Sequence, residues 1–434
     1  MNSPNEPEAM EDSSHTCTWT QSKLGDVAHY VNDKIIGREI SIEQYVSTEN
    51  MLVDKGGIVK AAIVPEESKI TKYCAGDILI SNIRPYFKKI WLAKHDGGCS
   101  TDVLVIRTKK GMDANFLYYS LTQDKFFDYV VAGSKGTKMP RGDKNAILEF
   151  SVPKPHLQEQ EEIGKILSAL DSKIELNQQM NKTLESIAQA LFKHWFIDFE
   201  FPDENGQPYK SSGGEMVDTD MGPIPKMWKI CKLNTLASMV RGVSYRSADL
   251  QESENAMVTL KSINRGGGFN KNGYKPYTGK FKPNQVVLPG EIVLAHTDVT
   301  QNAEVIGKPA VVESKSCFKR LIASMDLGII RSKSSFDMKY FIYYLLKSDK
   351  FQAYINGYVN GTTVLHLDSS AVLEFEFPEP NDELKHKFQN IGDYLIQRIL
   401  INSAENEALE QIRDLLLPRL LSGKLRVPLE DTNV

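Results

Sequence analysis

The chain has 434 residues and a formal net charge of −4, with 41% hydrophobic and 25% charged residues. These values are typical of a globular protein with room for two or three domains, and they exclude a largely disordered chain. No run approaches the roughly 18 apolar residues of a membrane span, and 5 scattered cysteines without a C-x-x-C pair argue against a disulfide framework or a zinc site. Because residues 1–16 are acidic and contain no Lys or Arg, we expect a disordered N-terminus, no membrane segment and a cytoplasmic protein.

Residues 17–155 predict a β-rich domain, because short β-branched runs alternate with Gly, Pro and Asn. A segment at 116–131 predicts one helix packed on the sheet of this domain. Two loops collect hydrogen-bond donors and are candidate DNA-binding sites, since Lys and Arg bind phosphates and Arg, Asn and Ser read base edges. Their candidate residues are Ser81, Asn82, Arg84, Tyr86, Lys88 and Lys89 in the first loop, and Lys135, Lys138, Arg141 and Lys144 in the second.

A long helix is predicted over residues 156–201, where apolar residues recur with a mean step of about 3.5 to 3.6. Asn177 and Asn181 interrupt its apolar stripe near the midpoint of the helix. A polar, Gly/Pro-rich linker follows at residues 202–225.

The second half of the chain repeats the first. Residues 116–155 align without a gap onto 341–380, with about 17 identities in about 40 positions. We therefore predict a second β-rich domain at 226–380, a second long helix at 381–427 and a short tail at 428–434. In the second helix, Asn402 and Asn406 interrupt the stripe at the places that Asn177 and Asn181 occupy in the first.

The repeat predicts an α+β fold made by internal tandem duplication with pseudo-two-fold symmetry. Its two β-rich domains are separated by two long helices in an antiparallel coiled coil. Buried Asn fixes the register of paired helices, and antiparallel pairing would place Asn177 near Asn406 and Asn181 near Asn402. The alternative is that all four Asn mark a stretch where the stripe turns to solvent.

Positive charge is concentrated in the two β-rich domains, which carry about +4 and about +6. Gly136 and Gly361 permit a tight loop at the same place in both. In the second domain the candidate DNA-binding residues are Lys261, Arg265, Lys271, His296, Thr297, Gln301, Asn302, Thr362, Thr363 and His366. Taken one at a time, each is equally consistent with ordinary solvated surface.

The ends of both helices carry more apolar residues than one helix contact covers: Leu191, Phe192, Trp195 and Phe196 in the first, and Leu416, Leu417, Leu420 and Leu421 in the second. We expect these residues to form exposed patches that bind another protein. The alternative is that they pack onto the neighbouring β-rich domain.

The sequence contains no P-loop, no G-x-G-x-x-G, no H-E-x-x-H and no G-x-S-x-G, and its His residues lack metal-ligand spacing. The duplicated framework also lacks a matching pair of catalytic groups. These observations favour recognition over catalysis, with no cofactor and no metal bound by this chain.

The chain resembles the specificity subunits of type I restriction–modification enzymes from about residue 17 to 427. The most telling segments are LQEQEEIGKILSALDSKIELNQQMNKTLESIAQALFKHWFIDFEF at 157–201, MGPIPKMW at 221–228 and LEQIRDLLLPRLLSGKLRV at 409–427. The resemblance implies two target recognition domains, each reading one half of a bipartite asymmetric DNA site. PNDELKHKF at 380–388 departs from the family's pattern, which PHLQEQEEI at 155–163 follows, and this puts the local helix cap in doubt.

The resemblance also implies partners and cofactors. The helices would act as a spacer and would bind two methyltransferase subunits, for which the apolar helix ends are the candidate interface. Two restriction subunits would complete the complex. S-adenosylmethionine would bind the methyltransferase subunits, and ATP and Mg²⁺ the restriction subunits. Three alternatives stay open: a related system that cuts on both sides of its site, a modification enzyme with an unrecognised active site, and a coiled-coil scaffold that binds proteins.

Overall fold

The computed structural model of the chain describes residues 19–136, 138–300, 302–334, 336–361 and 364–428. It contains two compact units, the first made of Met1–Lys173 with Leu409–Val434 and the second of Ile174–Ala408. The division falls inside both long helices, whereas the sequence assigned each helix to a segment of its own. The predicted N-terminal segment 1–16 and most of the tail, 429–434, lie outside the described residues.

In the first unit the strands form two four-stranded sheets and a short pair, and all helices except α1 come after the strands of the two larger sheets. The strands are β1 (Gln21–Lys23), β2 (Ala28–Tyr30), β3 (Lys34–Ile36), β4 (Tyr45–Val46), β5 (Lys69–Tyr73), β6 (Ile78–Ser81), β7 (Ile90–Leu92), β8 (Gly97–Cys99), β9 (Val103–Thr108) and β10 (Ser151–Pro153). The helices are α1 (Leu24–Val27), α2 (Ala114–Leu121), α3 (Asp124–Ala132), α4 (Lys144–Leu148) and the long α5 (Leu157–Phe192), which continues as a short π-helical turn. The sheet orders are β2-β9-β6-β7 and β3-β5-β8-β4, and β1 pairs with β10.

The second unit has the same kinds of elements with longer connections. Its strands are β11 (Met216–Val217), β12 (Ile224–Pro225), β13 (Lys229–Lys232), β14 (Ala237–Arg241), β15 (Asn255–Val258), β16 (Lys275–Pro276), β17 (Val286–Val287), β18 (Ile292–Ala295), β19 (Thr297–Asp298), β20 (Pro309–Val311), β21 (Arg320–Ala323), β22 (Leu327–Ser332), β23 (Val359–Asn360), β24 (Leu365–Leu367) and β25 (Glu376–Glu379). Its helices are α6 (Lys339–Lys347), α7 (Asp349–Asn356), α8 (Ser369–Glu374) and the long α9 (Asp382–Leu421). The main sheets have the orders β14-β22-β18-β20 and β16-β15-β21-β17.

These elements confirm the α+β class, and the central sheets of the two units use matching strands in the same order. One helix prediction is wrong. Where the sequence suggested a single helix over 116–131, the structure has α2 and α3, with a break at Gln123 (ψ 143). The second unit breaks in the same way at Ser348 (ψ 146), whose hydroxyl accepts a hydrogen bond from the Phe351 amide and so caps α7. A cap of this kind stabilises a new helix start at the expense of a continuous helix.

Within the second unit, α5 and α9 pair with opposite chain directions. Asn177 donates a hydrogen bond to Asn406 Oδ1 at 2.9 Å, and Asn402 donates one to Asn181 Oδ1 at 2.8 Å. These are the contacts that the repeat predicts for the four residues. Asn177 and Asn402 are fully buried, which excludes the alternative that the stripe turns to solvent here.

Within the first unit, the beginning of α5 pairs with the end of α9 in the same opposite sense. Arg413 binds Asp171 at 2.7 Å, and further toward both chain ends Arg426 binds the buried carboxylate of Glu159 through two nitrogens at 2.6 and 2.9 Å. The Arg426 guanidinium also lies 4.5 Å from the ring of Trp19. Leu420, Leu421 and Val427 thus lie in the core of the first unit.

The helix cap placed in doubt by the sequence does differ between the two units. In the second unit Asn381 caps α9, because its side chain accepts a hydrogen bond from the Leu384 amide at 2.9 Å. The start of the neighbouring short helix differs as well. Asp113 caps α2 in the first unit, whereas in the second Gln389, on α9, accepts from the Tyr340 amide at the start of α6. Each change supplies an acceptor for amides that a helix start leaves unpaired.

We predict that Asn177→Leu destabilises the second unit by about 1–3 kcal/mol, because it leaves the buried amide of Asn406 without its partner. The paired change Asn177→Leu with Asn406→Leu should recover most of that loss, since both polar groups are then removed together. Urea unfolding of the three variants measures both values. A single variant as stable as the unchanged protein would contradict the assignment of a buried amide pair.

Candidate nucleic-acid interface

The two candidate loops of the first domain lie side by side. Arg141 forms β-bridges with both Ile83, in the first loop, and Lys135, in the second. The Gly142 amide donates a hydrogen bond to the Asn82 carbonyl at 3.2 Å. Backbone pairing therefore joins residues that are about 60 positions apart in sequence and places Arg141 between two neighbouring strand segments.

The second domain pairs its candidate loops in the same pattern. His366 on β24 pairs with Thr297 on β19 at one side and with Asn360 on β23 at the other. The Leu367 amide donates a hydrogen bond to the His296 carbonyl at 2.9 Å. The segment after the central strand β18 and the hairpin between α7 and α8 thus form one small three-stranded sheet.

The alignment of the two halves equates these arrangements residue by residue. Arg141 aligns with His366, and Lys135 aligns with Asn360. Arg141 and His366 each occupy the middle of three strand segments. The framework is shared and the central side chain differs. This is the arrangement expected of two recognition surfaces that use one scaffold to bind different targets.

Local chemistry explains why the chain forms this hairpin in both domains. Gly136 (φ +98) and Gly361 (φ +115) adopt left-handed conformations, and a Cβ at 361 would lie 2.2 Å from the carbonyl oxygen of Val364. The hairpin then ends at a helix that an aspartate caps. Asp143 accepts from the Asn145 amide at the start of α4, and Asp368 does the same at the start of α8.

The cations near these loops are exposed and paired only at the surface. Lys138, Lys144 and Lys261 are exposed, and three further candidates form ion pairs at 2.7 to 3.2 Å: Lys135 with Asp143, Arg141 with Asp102 and Arg265 with Glu304. The hydrogen bond from Lys135 lowers the pKa of Asp143, with further help from two backbone amides. Exposed pairs contribute little to stability, so a phosphate can take the place of the carboxylate at small cost.

Four predicted DNA contacts are wrong, because the side chains of Ser81, Asn82, His296 and Thr297 are buried. In the repeat, AGDILIS at 75–81 matches PGEIVLA at 289–295, so the following residues Asn82 and His296 are equivalent positions. Their backbone amides donate to the carbonyls of Asp102 at 2.8 Å and Asp326 at 2.7 Å. Burial lowers the pKa of His296 to about 4, so this imidazole is neutral near pH 7. These residues support the loops from beneath.

Lys271 was predicted to bind phosphate, and this prediction is also wrong. Its ammonium lies 3.2 Å from Glu407 and 3.9 Å from Glu313, and it donates to the carbonyl of Ser403 at 3.1 Å. The side chains of Lys271 and both carboxylates are less than a fifth exposed. Within the second unit, Lys271 therefore holds the loop that contains it against α9.

The remaining candidates divide into paired and exposed residues. Lys88 binds Asp124 at 3.0 Å, and Lys89 donates to the Thr48 carbonyl at 2.6 Å, so both fix the first loop in place. Arg84 is partly exposed, and Tyr86, Asn302 and His366 are exposed. Gln301, Thr362 and Thr363 lie outside the described residues.

The apolar helix ends are not exposed patches. Phe192 and Phe196 are buried in the core of the second unit, and Leu420 and Leu421 in the core of the first. The other four candidates, Leu191, Trp195, Leu416 and Leu417, are half-buried and pack against the same cores. The exposed-patch prediction is therefore wrong for the four buried residues. The end of α5 packs into the core of the second unit, and the end of α9 packs into the core of the first.

The structure contains an exposed apolar surface that the sequence did not predict. Within the second unit, Leu176 and Ile187 on α5 and Tyr394 and Ile401 on α9 are each more than half exposed. Each precedes by one residue a position of the buried seam, such as Asn177 or Leu395. One step along a helix rotates a side chain by about 100°, so these four residues flank the seam on one face of the antiparallel pair. That one-residue offset from the seam was the signal available in the sequence. We call these four residues the flanking stripe.

Within the described part of the chain, no group of three or more His, Cys, Asp or Glu residues has an arrangement that could hold a metal ion. The helices described there also include none that is long and apolar enough to cross a membrane.

Comparisons with known proteins find similarity to one family. Residues 17–186 match the family model described as the type I restriction modification DNA specificity domain. The chain is 27% identical to the type I restriction enzyme HindI specificity subunit of Haemophilus influenzae, over 94% of this chain and 99% of that protein. It is 26% identical to the MjaVIII specificity subunit of Methanocaldococcus jannaschii, over 94% and 93%. The crystal structure of a type I restriction–modification S subunit from M. genitalium has a similar fold, with a TM-score of 0.59, 15% identity and coverage of 95% of this chain and 98% of that one.

Proposed function

Because the chain belongs to the family of type I restriction–modification specificity subunits, we propose that it is the sequence-specific DNA-recognition subunit of such a complex. It reads a bipartite asymmetric site with one β-rich domain for each half-site. The observation that carries this proposal is the three-segment pairing found in both domains, with Arg141 and His366 at its centre. A duplicated reader whose central residue differs between copies suits an asymmetric site.

The architecture that we propose is an internal tandem duplication with pseudo-two-fold symmetry, in which α5 and α9 form an antiparallel coiled coil. The matching sheet orders and the Asn177–Asn406 hydrogen bond support it. In a duplicated helix that pairs antiparallel with its own copy, two-fold symmetry places each Asn opposite the equivalent of the other, as in the Asn177–Asn406 and Asn181–Asn402 contacts. The same helices then serve as the spacer between the two readers.

We propose further that the chain has no catalytic activity. Two methyltransferase subunits and two restriction subunits would supply the chemistry, with S-adenosylmethionine bound by the former and ATP and Mg²⁺ by the latter. The candidate DNA-binding residues described above support DNA contacts: exposed Lys and Arg beside a paired hairpin are donors for phosphates and base edges.

We predict that Arg141→Ala and His366→Ala change base preference in one half-site each and leave the other unchanged. A good side-chain contact with a base edge discriminates by about 1–3 kcal/mol, which corresponds to about five- to 150-fold in relative affinity. Competition binding of the assembled complex against sites degenerate in one half measures both effects. Lys144→Ala is the control, since loss of a phosphate contact should weaken all sequences alike and reduce the salt dependence. Equal effects of Arg141→Ala on both half-sites would contradict the assignment.

The flanking stripe is our proposed contact for a methyltransferase subunit, in place of the buried helix ends. Exposed apolar side chains in a row on paired helices suit a third helix from a partner. We predict that Tyr394→Asp with Ile401→Asp weakens the binding of one methyltransferase subunit by more than tenfold and leaves the unfolding temperature within a few degrees. Co-purification and calorimetric titration test this. Tight binding by the double variant would show that the partner uses another surface.

A further inference from the structure

The first recognition loop displays two aromatic side chains at its tip. Tyr86 and Phe87 are 48% and 37% exposed, and their ring centroids lie 4.7 Å apart at an interplanar angle of 58°. They belong to a single 3-10 turn, Pro85–Phe87, in the loop that pairs with the Arg141 hairpin. Exposed aromatic pairs on a soluble protein mark a contact surface more often than isolated apolar residues do.

The turn is held rigidly. Arg84 (φ +49) and Lys88 (φ +51) adopt left-handed conformations on either side of it, which only a well-supported loop maintains for non-glycine residues. The Asp54 and Lys55 amides donate to the carbonyls of Phe87 and Lys88, each at 2.9 Å. A surface that is already ordered loses little conformational entropy when it binds a ligand.

Ion pairs brace the same turn from outside. Lys55 and Lys88 both bind Asp124 on α3, at 2.9 and 3.0 Å. Lys89 lies 5.8 Å from the Phe87 ring while its ammonium donates to the Thr48 carbonyl. The aromatic rings therefore project from a fixed base.

The surroundings of the rings match a nucleic acid. The Arg84 amide donates to the Pro140 carbonyl at 2.8 Å, which places the turn beside the hairpin segment that carries Lys138, Met139 and Arg141. Met139 is 46% exposed, and Lys138 and Arg141 lie on either side of it in this segment. Apolar side chains that insert at a base step and cations that hold the adjacent phosphates occur together in proteins that deform duplex DNA.

The aligned segment of the second unit, residues 298–302, contains no aromatic residue. The residues aligned with Tyr86 and Phe87 are Thr300 and Gln301, and Asp298 replaces Arg84. The Asp298 carboxylate is buried and accepts hydrogen bonds from the amides of Thr300 and Val305, each at 2.6 Å. The neighbouring Val299 is 69% exposed, so the described part of this loop presents an aliphatic side chain and no aromatic ring.

We propose that Tyr86 and Phe87 form a wedge that inserts at a base step of the first half-site, and that the second half-site is read without a wedge. The inference rests on the proposed function, because it presumes that the first domain reads one half-site. Insertion requires the base step to unstack, and the cost of unstacking differs among base steps. The wedge would therefore favour a flexible step, and it adds sequence preference that no hydrogen bond to a base supplies.

The test uses the complex of the full chain with its methyltransferase subunits and duplexes that carry the methylated site with 2-aminopurine at successive positions. For the unchanged complex we expect a fluorescence increase of several-fold at one step of the first half-site. Tyr86→Ala with Phe87→Ala should abolish it and lower affinity for the site about tenfold or more. Phe87→Trp retains a stacking ring and should keep the signal. Phe336→Ala removes an aromatic side chain of the second unit that is 62% exposed, more than either ring of the pair, and should change nothing.

The outcomes separate the inference from the proposed function. If the unchanged complex shows no preference for the methylated site, the proposed function fails. If it binds that site but the fluorescence increase persists in the double alanine variant, or never occurs in the first half-site, the wedge is overturned. Release of a methyltransferase subunit by the double variant, with unchanged fluorescence, would assign the two rings to a protein contact and also overturn it.

Discussion

Replacing Phe196 with Ala is expected to destabilise the second unit by about 3–5 kcal/mol, the usual cost of removing a buried aromatic ring. Phe196 lies in a cluster of rings, with centroids 4.9 Å from Phe192, 5.1 Å from Phe341 and 5.3 Å from Phe388. The surrounding rings come from three different elements, so collapse around the cavity is restricted. Thermal and urea unfolding of the purified chain measure the loss.

Ile187→Ala is the matched control for that variant, because Ile187 is half exposed and its truncation should change stability by less than about 0.5 kcal/mol. As a residue of the flanking stripe, Ile187 should instead weaken the binding of a methyltransferase subunit when it is truncated. If Phe196→Ala left unfolding unchanged and released a methyltransferase subunit, the helix end would be a docking surface after all.

The second large effect is expected for Lys271→Ala, which should destabilise the second unit by about 3 kcal/mol because it leaves two buried carboxylates without their shared cation. Burial raises the pKa of Glu313, and Lys271 opposes that shift. Without the lysine, the pKa of Glu313 rises still further above its value in the unfolded chain. The penalty should therefore be largest near pH 7.5 and shrink as pH falls through the raised pKa.

Lys261→Ala is the comparison for Lys271→Ala, since Lys261 lies in the same basic segment and is exposed. It should leave stability within about 0.5 kcal/mol and weaken DNA binding in a salt-dependent manner. Unfolding curves at pH 5 and pH 7.5, together with binding at two salt concentrations, distinguish the two lysines. A stable Lys271→Ala protein with weakened DNA binding would return Lys271 to the phosphate-binding set.

The parts of the fold that depend on periodicity could be predicted from the sequence. Asn177 and Asn406 were placed in contact because a stripe with a step near 3.5 defines which helix face is buried, and the repeat defines the partner. The two loops that carry Arg84 and Arg141 were likewise identified as one kind of surface, although their backbone pairing was not foreseen. That pairing depends on contacts between distant segments, which composition and spacing do not encode.

Residues outside the repeated framework were harder to predict. His296 aligns with Asn82, and both are polar, so neither composition nor position indicated that both side chains are buried. Lys271 lies in a part of the second domain where the two copies have diverged, so the repeat gave no information about its partner Glu407. The apolar end of each helix could pack inward or bind a partner, and the sequence contains the same residues in either case.

In the proposed function, one chain reads two different half-sites through two copies of one scaffold. Mapping of methylated bases in a genome that carries this gene and its neighbours, before and after deletion of the gene, tests that claim most directly. We expect a methylated motif made of two unlike half-sites separated by a fixed unspecified gap, and we expect it to disappear with the gene. Persistence of every methylated motif after deletion, or loss of a single continuous motif without a gap, would contradict the account.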